Sequence, residues 1–203
     1  MRILAIETAT EACSVALFED GSLLDARHEL LGRGHAERLV PMIAELPKKG
    51  RADEIRVSLG PGSFTGVRIG LAVARALGVA WGTPVRGYPT LALIAAMARG
   101  VDGRAITVCM TGGHGEWFMQ DFGADGLPLN EVVSLPPDAA AAREAQEILA
   151  GSKAEELGER LQVDPAPVRL PDARHALALP DILLRETLSP LYGRPPDAKL
   201  PGA

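Results

Sequence analysis

Hydrophobic and polar positions along the chain predict a run of short buried strands at its beginning. An apolar run covers Arg2–Glu7, and a second apolar run covers Cys13–Glu19 after a turn of small and polar residues. Asp20-Gly21 favours a two-residue hairpin turn and separates the second strand from a third at Ser22–Leu30. An opening of three antiparallel strands disfavours a plain doubly wound nucleotide-binding fold, which begins with a strand followed by a helix.

Helices and further strands alternate in the rest of the first half. Apolar residues at helical spacing predict a helix over His35–Leu46, with Pro41 as a kink or as part of its first turn. A strand at 55–59, an alanine-rich helix ending near Gly82, a short strand at 83–86 and an apolar helix at 89–99 follow. Residues 100–103 are the predicted boundary between one lobe of residues 1–101 and another of residues 102–203.

The strand pattern recurs in the second half, although the two sequences do not visibly repeat. Strands are predicted at 105–110, 116–122 and 129–135, and a short strand ends within 148–152. Helices are predicted at 137–143 and 154–161, and a helical stretch at 172–188 is interrupted at Pro180. The tail from Ser189 onward is rich in proline and is expected to be extended.

A glycine-rich stretch, 58–71, joins the strand at 55–59 to the alanine-rich helix. A strand, a glycine turn and a helix N-terminus offer free N–H groups to an anion, but they are also how a tight turn is built. The stretch lacks the lysine of a Walker A loop. Thr65 stands where a dinucleotide-binding loop has its third glycine, and no acidic residue follows at the required distance. A tight turn is therefore the leading interpretation.

The helix that follows has small residues at every fourth position, a set that we call the inner stripe: Gly66, Gly70, Ala74 and Gly78. Arg68 and Arg75 share the opposite face, so the polar part of this helix is narrow. The two arginines interrupt a run of barely membrane-spanning length, and a membrane helix is not expected. Two interpretations stay open: the helix is enclosed within its own domain, or one side meets another protein chain.

Composition and charge exclude several classes of protein. The 203 residues are 47% hydrophobic, which is typical of a globular protein. The net charge of −5 argues against a sequence-blind nucleic-acid binder. Cys13 and Cys109 are isolated, and without a signal peptide they indicate reduced thiols in the cytoplasm. The four histidines lack zinc-binding spacing, so no metal site is expected.

Four segments together resemble one family, the TsaB (YeaZ) family, a bacterial subunit needed for threonylcarbamoyladenosine at position 37 of tRNA. They are Ile3–Leu17, His35–Ile43, Gly60–Leu71 and Pro190–Lys199. The resemblance covers most of residues 1–90 and the second half only thinly. It implies an α/β protein with the actin-like ATPase fold of sugar kinases and heat-shock proteins, in two strand-rich lobes with packed helices.

The resemblance also implies a subunit that is not the catalyst and needs no cofactor of its own. TsaD, the related subunit, holds the metal and transfers the threonylcarbamoyl group. TsaB lacks the metal-binding histidine pair of TsaD, as does this chain. The expected partners are TsaD, TsaE through the TsaD complex, tRNA indirectly, and a second copy of the chain when TsaD is absent. A nucleotide at the joint with TsaD is compatible with this.

Binding to TsaD is expected through the helices that begin near His35 and Gly66. The predicted interface residues are His35, Leu39, Val40, Ile43, Leu46, Gly66, Ile69, Gly70, Val73, Ala74 and Leu77.

The chain departs from the family at three places. The opening strand ends in Glu7 where the family has Asp, and no glycine follows closely. Thr111-Gly112-Gly113 stands where the family often has Asp-Ala-Arg, and Tyr192-Gly193-Arg194 replaces Tyr-Leu-Arg. The first departure puts nucleotide binding in the first lobe in doubt, and the last removes one apolar anchor of the tail.

Two enzymatic alternatives remain. A small kinase or ATPase of the same fold would hold metal-bound phosphate with Glu7, Thr8 and Thr10, helped by the hydroxyls of Ser63 and Thr65. A peptidase would need a nucleophile beside a base, with Ser63 or Cys13 next to His35 as the conceivable pairs.

Overall fold

The computed structural model describes residues 1–99 and 103–193 and contains two β-sheets. The first sheet has the order β3-β2-β1-β4-β5 and consists of β1 (Arg2–Glu7), β2 (Ala12–Glu19), β3 (Ser22–Leu30), β4 (Glu54–Ser58) and β5 (Val85–Tyr88). Strands β1 to β3 are antiparallel, whereas β4 and β5 run parallel to β1. The predicted opening hairpins are confirmed, and β5 begins two residues later than predicted.

The second sheet repeats the arrangement of the first four strands. It has the order β8-β7-β6-β9 and consists of β6 (Ile106–Thr111), β7 (Trp117–Phe122), β8 (Val133–Leu135) and β9 (Ile148–Ala150). An antiparallel hairpin is again followed by a strand parallel to its first member. The predicted recurrence is confirmed, and so is the actin-like ATPase class of fold. Strand β8 is shorter than predicted because Asn130 is turned toward Asp121, to which its amide donates a hydrogen bond.

The α-helices are α1 (His35–Ala44), α2 (Phe64–Trp81), α3 (Thr90–Ala98), α4 (Pro137–Ala141) and α5 (Ala154–Leu161). Helix α1 continues through Pro41 and ends two residues before the predicted end. Helix α2 ends at Gly82, whose φ of 66° is the left-handed conformation that glycine adopts without strain. The predicted helical stretch at 172–188 is wrong in type, since it forms two short 3₁₀ turns, Ala173–Ala178 and Asp181–Leu183.

The elements pack in five layers. Helices α1 and α2 cover the outer face of the first sheet, and the turn Ala173–Ala178 covers its inner face. Helix α3 packs on the inner face of the second sheet, and α4 and α5 cover the outer face of that sheet. The predicted lobe boundary at 101/102 falls within 100–102, outside the described residues, and stays a prediction.

Side-chain alternation on β1 decides which groups reach which layer. Leu4 and Ile6 point to the outer face, under α1 and α2, while Ile3 and Ala5 point to the inner face. Glu7 continues the inner series, so a carboxyl group lies where the alternation would otherwise place an apolar side chain. The strand therefore carries an acid into the centre of the molecule.

Residues 185–193, which we call the C-terminal strap, return from the second lobe to the first. The backbone of Arg185 exchanges two hydrogen bonds with Gly87 at the free edge of β5. Arg75 on α2 donates to the Leu188 carbonyl oxygen at 2.6 Å, and the Leu191 N–H donates to the carbonyl of residue 59 at 2.7 Å. The strap thus connects the two lobes. The rest of the predicted extended tail, 194–203, lies outside the described residues.

Candidate functional site

The turn between β1 and β2 meets the glycine-rich loop that precedes α2, and we call this contact the loop junction. The Ser63 N–H donates to the Ala9 carbonyl oxygen at 2.7 Å. The Thr8 hydroxyl donates to the Gly66 carbonyl oxygen at 2.8 Å. A Cβ atom at Gly62 would overlap the Ala9 carbonyl oxygen, and one at Gly66 would overlap that of Thr8. Glycine is needed at both positions because backbone packs directly on backbone there.

Glu7 is buried immediately behind the loop junction. Its Oε1 accepts a hydrogen bond from the Ala9 N–H at 2.7 Å, while Oε2 has no partner. Burial raises the pKa of Glu7 from its ordinary 4.5 to about 7, against the opposing effects of the Ala9 N–H and the hydroxyls of Ser58 and Tyr88. The carboxyl group is therefore poised between its neutral and charged forms near neutral pH.

The residues predicted to hold phosphate are only partly brought together. Glu7, Thr8 and Ser63 meet at the loop junction, where Ser63 also accepts from the Gly66 N–H as the N-cap of α2. Thr10 is 9% exposed, and Thr65 lies on the exposed first turn of α2. The Thr8 hydroxyl already donates to the Gly66 carbonyl oxygen, so it could donate to a phosphate group only if this contact of the loop junction broke.

The peptidase alternative requires a nucleophile beside a base, and within residues 1–99 and 103–193 no hydrogen bond joins Ser63 or Cys13 to His35. Cys13 is fully buried, and burial raises the pKa of its thiol to about 12. His35 is also buried, with Nε2 3.3 Å from the Ala12 carbonyl oxygen. A histidine at the start of a helix is expected on the surface, and the burial of His35 shows that this expectation is wrong. Ser63 is engaged as the cap of α2.

Both cysteines are expected to be unreactive in the folded protein. Cys109 is buried like Cys13, and burial raises the pKa of its thiol to about 12 as well. Because only the exposed thiolate attacks disulfide reagents, a colorimetric thiol titration should detect no cysteine in native conditions and both in denaturant. Rapid modification of the native protein would contradict the described burial.

The predicted partner interface is wrong for the residues that the chain buries in its own core. The inward side of α1 carries His35, Leu39 and Ile43, and Leu46 is buried just after this helix. The inward side of α2 carries Gly66, Gly70 and Ala74, which face the first sheet. The inner stripe is small because a Cβ at Gly70 would overlap the Thr8 hydroxyl and one at Gly78 would overlap Val85. The helix approaches its own sheet closely through these positions. Of the two open interpretations, burial within the domain accounts for the inner stripe.

A different set of small apolar residues faces outward from α1 and α2, and we call it the outer stripe. Its members are Ala36, Val40 and Ala44 on α1 and Ala72, Ala76 and Ala80 on α2. Ile69, Val73 and Leu77 border it and are partly buried, so their predicted role at an interface stays a prediction, as does that of Val40. Sequence reasoning missed the outer stripe although its alanines recur every four residues.

Helix α2 and the metal-ligating side chains bear on whether the protein could contact a membrane or hold a metal ion. Helix α2 is long and apolar enough to cross a membrane by length and composition, with a mean hydropathy of 1.3, but core helices of soluble proteins meet the same criteria. Within residues 1–99 and 103–193, no group of three or more His, Cys, Asp or Glu side chains is arranged to hold a metal ion.

The chain is similar to known proteins over most of its length. Residues 28–171 match the family described as "TsaD: tRNA N6-adenosine threonylcarbamoyltransferase". Two solved structures from Pseudomonas aeruginosa are similar over 95% and 94% of this chain and 99% of each of theirs, at 30% and 29% identity and TM-scores of 0.79 and 0.76. One is described as an uncharacterized protein with similarity to peptidase YEAZ, the other as YeaZ.

Curated relatives match about half of the chain. The Escherichia coli protein named tRNA threonylcarbamoyladenosine biosynthesis protein TsaB is 46% identical over 100 residues, which are 47% of this chain and 43% of that protein. The Haemophilus influenzae protein of the same name is 40% identical over 103 residues, 48% of this chain and 43% of its own length. The matched stretch thus spans less than half of either relative.

The two sheets, their shared strand order and the profile match define a protein of the TsaD-related class with the actin-like ATPase fold. Within that class, the chain belongs to the TsaB (YeaZ) family.

Proposed function

We propose that the chain is a non-catalytic subunit that binds TsaD and supports N6-threonylcarbamoyl modification of adenosine 37 in tRNA. The names of its curated relatives support the process. The observation that carries the proposal is the outer stripe, an apolar surface that two adjacent helices present to solvent.

The composition of the outer stripe suits helix-to-helix contact. Alanine side chains at four-residue spacing on α1 and α2 let a partner helix approach closely. Val40 in the α1 part of the outer stripe is 52% exposed. Val79, which lies on the same side of α2 as the alanines of the outer stripe, is 87% exposed. Exposed apolar side chains grouped on two neighbouring helices favour an interaction site. The same patch would support a homodimer when TsaD is absent.

The loop junction supports a scaffold role more than catalysis. Its Thr8 hydroxyl donates within the fold, Ser63 caps α2, and Glu7 lies fully buried behind them. We therefore propose a cytoplasmic subunit with no cofactor of its own. TsaE and tRNA would join through TsaD, and a nucleotide could sit only at the joint with that partner. No ATP hydrolysis by the chain alone is expected.

Ala76→Glu should abolish binding to TsaD of the same organism without unfolding the chain. Ala76 is exposed in the centre of the outer stripe, so a glutamate is tolerated in the free protein. In the complex its charge would be buried without a partner, which costs about 2–5 kcal/mol, or roughly 30- to several thousand-fold in affinity. Size-exclusion chromatography with light scattering on the mixed proteins measures the loss.

Ala139→Glu is the matched control, because Ala139 is an exposed helical alanine on α4 in the second lobe. It should bind TsaD as the natural chain does. If Ala76→Glu gives the same mixed-complex peak as Ala139→Glu, the outer stripe is not the binding surface. If the natural chain and TsaD elute separately, the proposed function fails.

A further inference from the structure

Three side chains form an exposed stack at the start of α2, which we call the aromatic clamp: Phe64, Arg68 and Tyr192. The Arg68 guanidinium carbon lies 3.2 Å from the centre of the Phe64 ring and 5.7 Å from that of Tyr192. Its Nη2 donates to the Tyr192 hydroxyl at 2.7 Å. Phe64 is 66% exposed and Tyr192 59% exposed. The guanidinium is thus fixed between two aromatic rings that mostly face solvent.

The charge of this guanidinium is not neutralised within residues 1–99 and 103–193. Arg68 donates to the Phe64 carbonyl and the Tyr192 hydroxyl, and no carboxylate pairs with it. The first turn of α2 contains no acidic residue. Other arginines of the first lobe do pair with carboxylates, as Arg38 shows by bonding both Glu29 and Glu45. A positive charge and two exposed rings therefore share one small surface.

We propose that the aromatic clamp is a stacking platform for the bases of single-stranded RNA. Bases stack on exposed aromatic rings and on arginine planes, and the unpaired guanidinium complements a phosphate of the same strand. A small groove of about 90 Å³, lined by Pro61, Phe118 and Leu191 together with the clamp, runs alongside the rings. That the RNA is a tRNA loop rests on the proposed function, whereas the platform itself does not.

RNA fits this surface better than an acidic protein segment does. The clamp offers one charged group and two planar rings, so most of its binding energy would come from stacking rather than from ion pairs. The net charge of −5 for the whole chain repels a polyanion at long range, so the strand would be held by the local contacts of the clamp. With one or two phosphates neutralised, the logarithm of the binding constant should fall with the logarithm of salt at a slope of about −0.7 to −1.4.

The test measures fluorescence anisotropy of a labelled uridine-rich strand of about ten nucleotides with the chain alone, at roughly 50 mM salt. Binding is expected for the natural chain. Phe64→Leu should weaken it by about 5- to 150-fold through loss of one base stack. Arg68→Lys keeps the charge but loses the plane and should weaken binding similarly. Both variants should fold, because Phe64 is mostly exposed and the lysine retains the aliphatic stem.

Arg75→Lys is the matched control, because Arg75 lies on the same helix and also holds the C-terminal strap but touches no aromatic ring. Its RNA affinity should stay within about twofold of the natural chain. The proposal is overturned if the natural chain does not bind at about 100 µM protein, or if all three variants bind equally. Competition by uridine monophosphate as strong as by the strand would identify a mononucleotide site instead. None of these outcomes depends on TsaD.

Discussion

Gly66→Ala is expected to destabilise the protein by about 3 kcal/mol, although alanine is the better helix former by about 1 kcal/mol. The cause is the loop junction, where an added Cβ would overlap the Thr8 carbonyl oxygen. That oxygen belongs to the backbone and cannot move without opening the turn between β1 and β2. Separation of the two segments would also lengthen the hydrogen bond from the Thr8 hydroxyl to the Gly66 carbonyl.

Thermal unfolding measures this effect, and a loss of 3 kcal/mol corresponds to a decrease in Tm of about 6–12 °C for a chain of this size. Gly113→Ala is the control, because Gly113 lies in the turn between β6 and β7 with nothing within 4 Å of an added Cβ. It should change Tm by less than about 2 °C. Equal Tm values for the two variants would mean that the loop junction is not tightly packed.

Glu7→Gln is expected to make the protein more stable at pH 8 than the natural chain by about 3 kcal/mol, and by less than about 1 kcal/mol at pH 5. The raised pKa of Glu7 means that the folded state favours the protonated carboxyl group. Its contribution to stability is fully present below pH 4.5, the ordinary value, and is lost as pH rises through about 7. Glutamine keeps the shape of the acid and does not ionise, so burial imposes no cost of a charged group at any pH.

Urea denaturation of both proteins across this pH range gives the difference directly. The other titratable groups that face Glu7 are Tyr88 on β5 and Cys13 on β2, and burial raises the pKa of both above the range used. Glu11→Gln, which replaces an exposed acid on the neighbouring turn, is the control and should shift stability equally at both pH values. A Glu7→Gln difference that does not vary with pH would show that the carboxyl group is already charged or already neutral throughout.

The strands and helices of the first lobe were predictable because their signals are local. The apolar runs of β1 and β2, the Asp20-Gly21 turn and the apolar spacing of α1 all reflect contacts that neighbouring residues share. The stretch at 172–188 was not predictable as 3₁₀ turns. Its conformation is fixed by a distant strand, since the Ala173 N–H donates to the Ser14 hydroxyl 159 positions earlier in the chain.

The inner stripe and the aromatic clamp could likewise be predicted only in part, because both depend on contacts between distant parts of the chain. The inner stripe was correctly identified as a place of close approach, but sequence could not say what approaches. From sequence alone, Gly70→Leu should block partner binding and leave the fold largely intact. The second part is wrong because a Cβ there would overlap the Thr8 hydroxyl, whereas the effect on binding stays a prediction. The aromatic clamp could not be predicted from the sequence, because Tyr192 is 124 positions from Arg68 and the two residues meet only where the C-terminal strap returns to α2.

The C-terminal strap also has a consequence for how the protein is made. A ribosome completes the five strands of the first sheet by residue 88, yet the turn that covers the inner face of this sheet and the strap that pairs with β5 come after residue 172. Strand β5 therefore presents an unpaired edge, and Ile3 and Phe18 an uncovered face, until the second lobe has been synthesised. The nascent first lobe is incomplete by itself and is the part of the chain most open to chaperone capture or aggregation during translation.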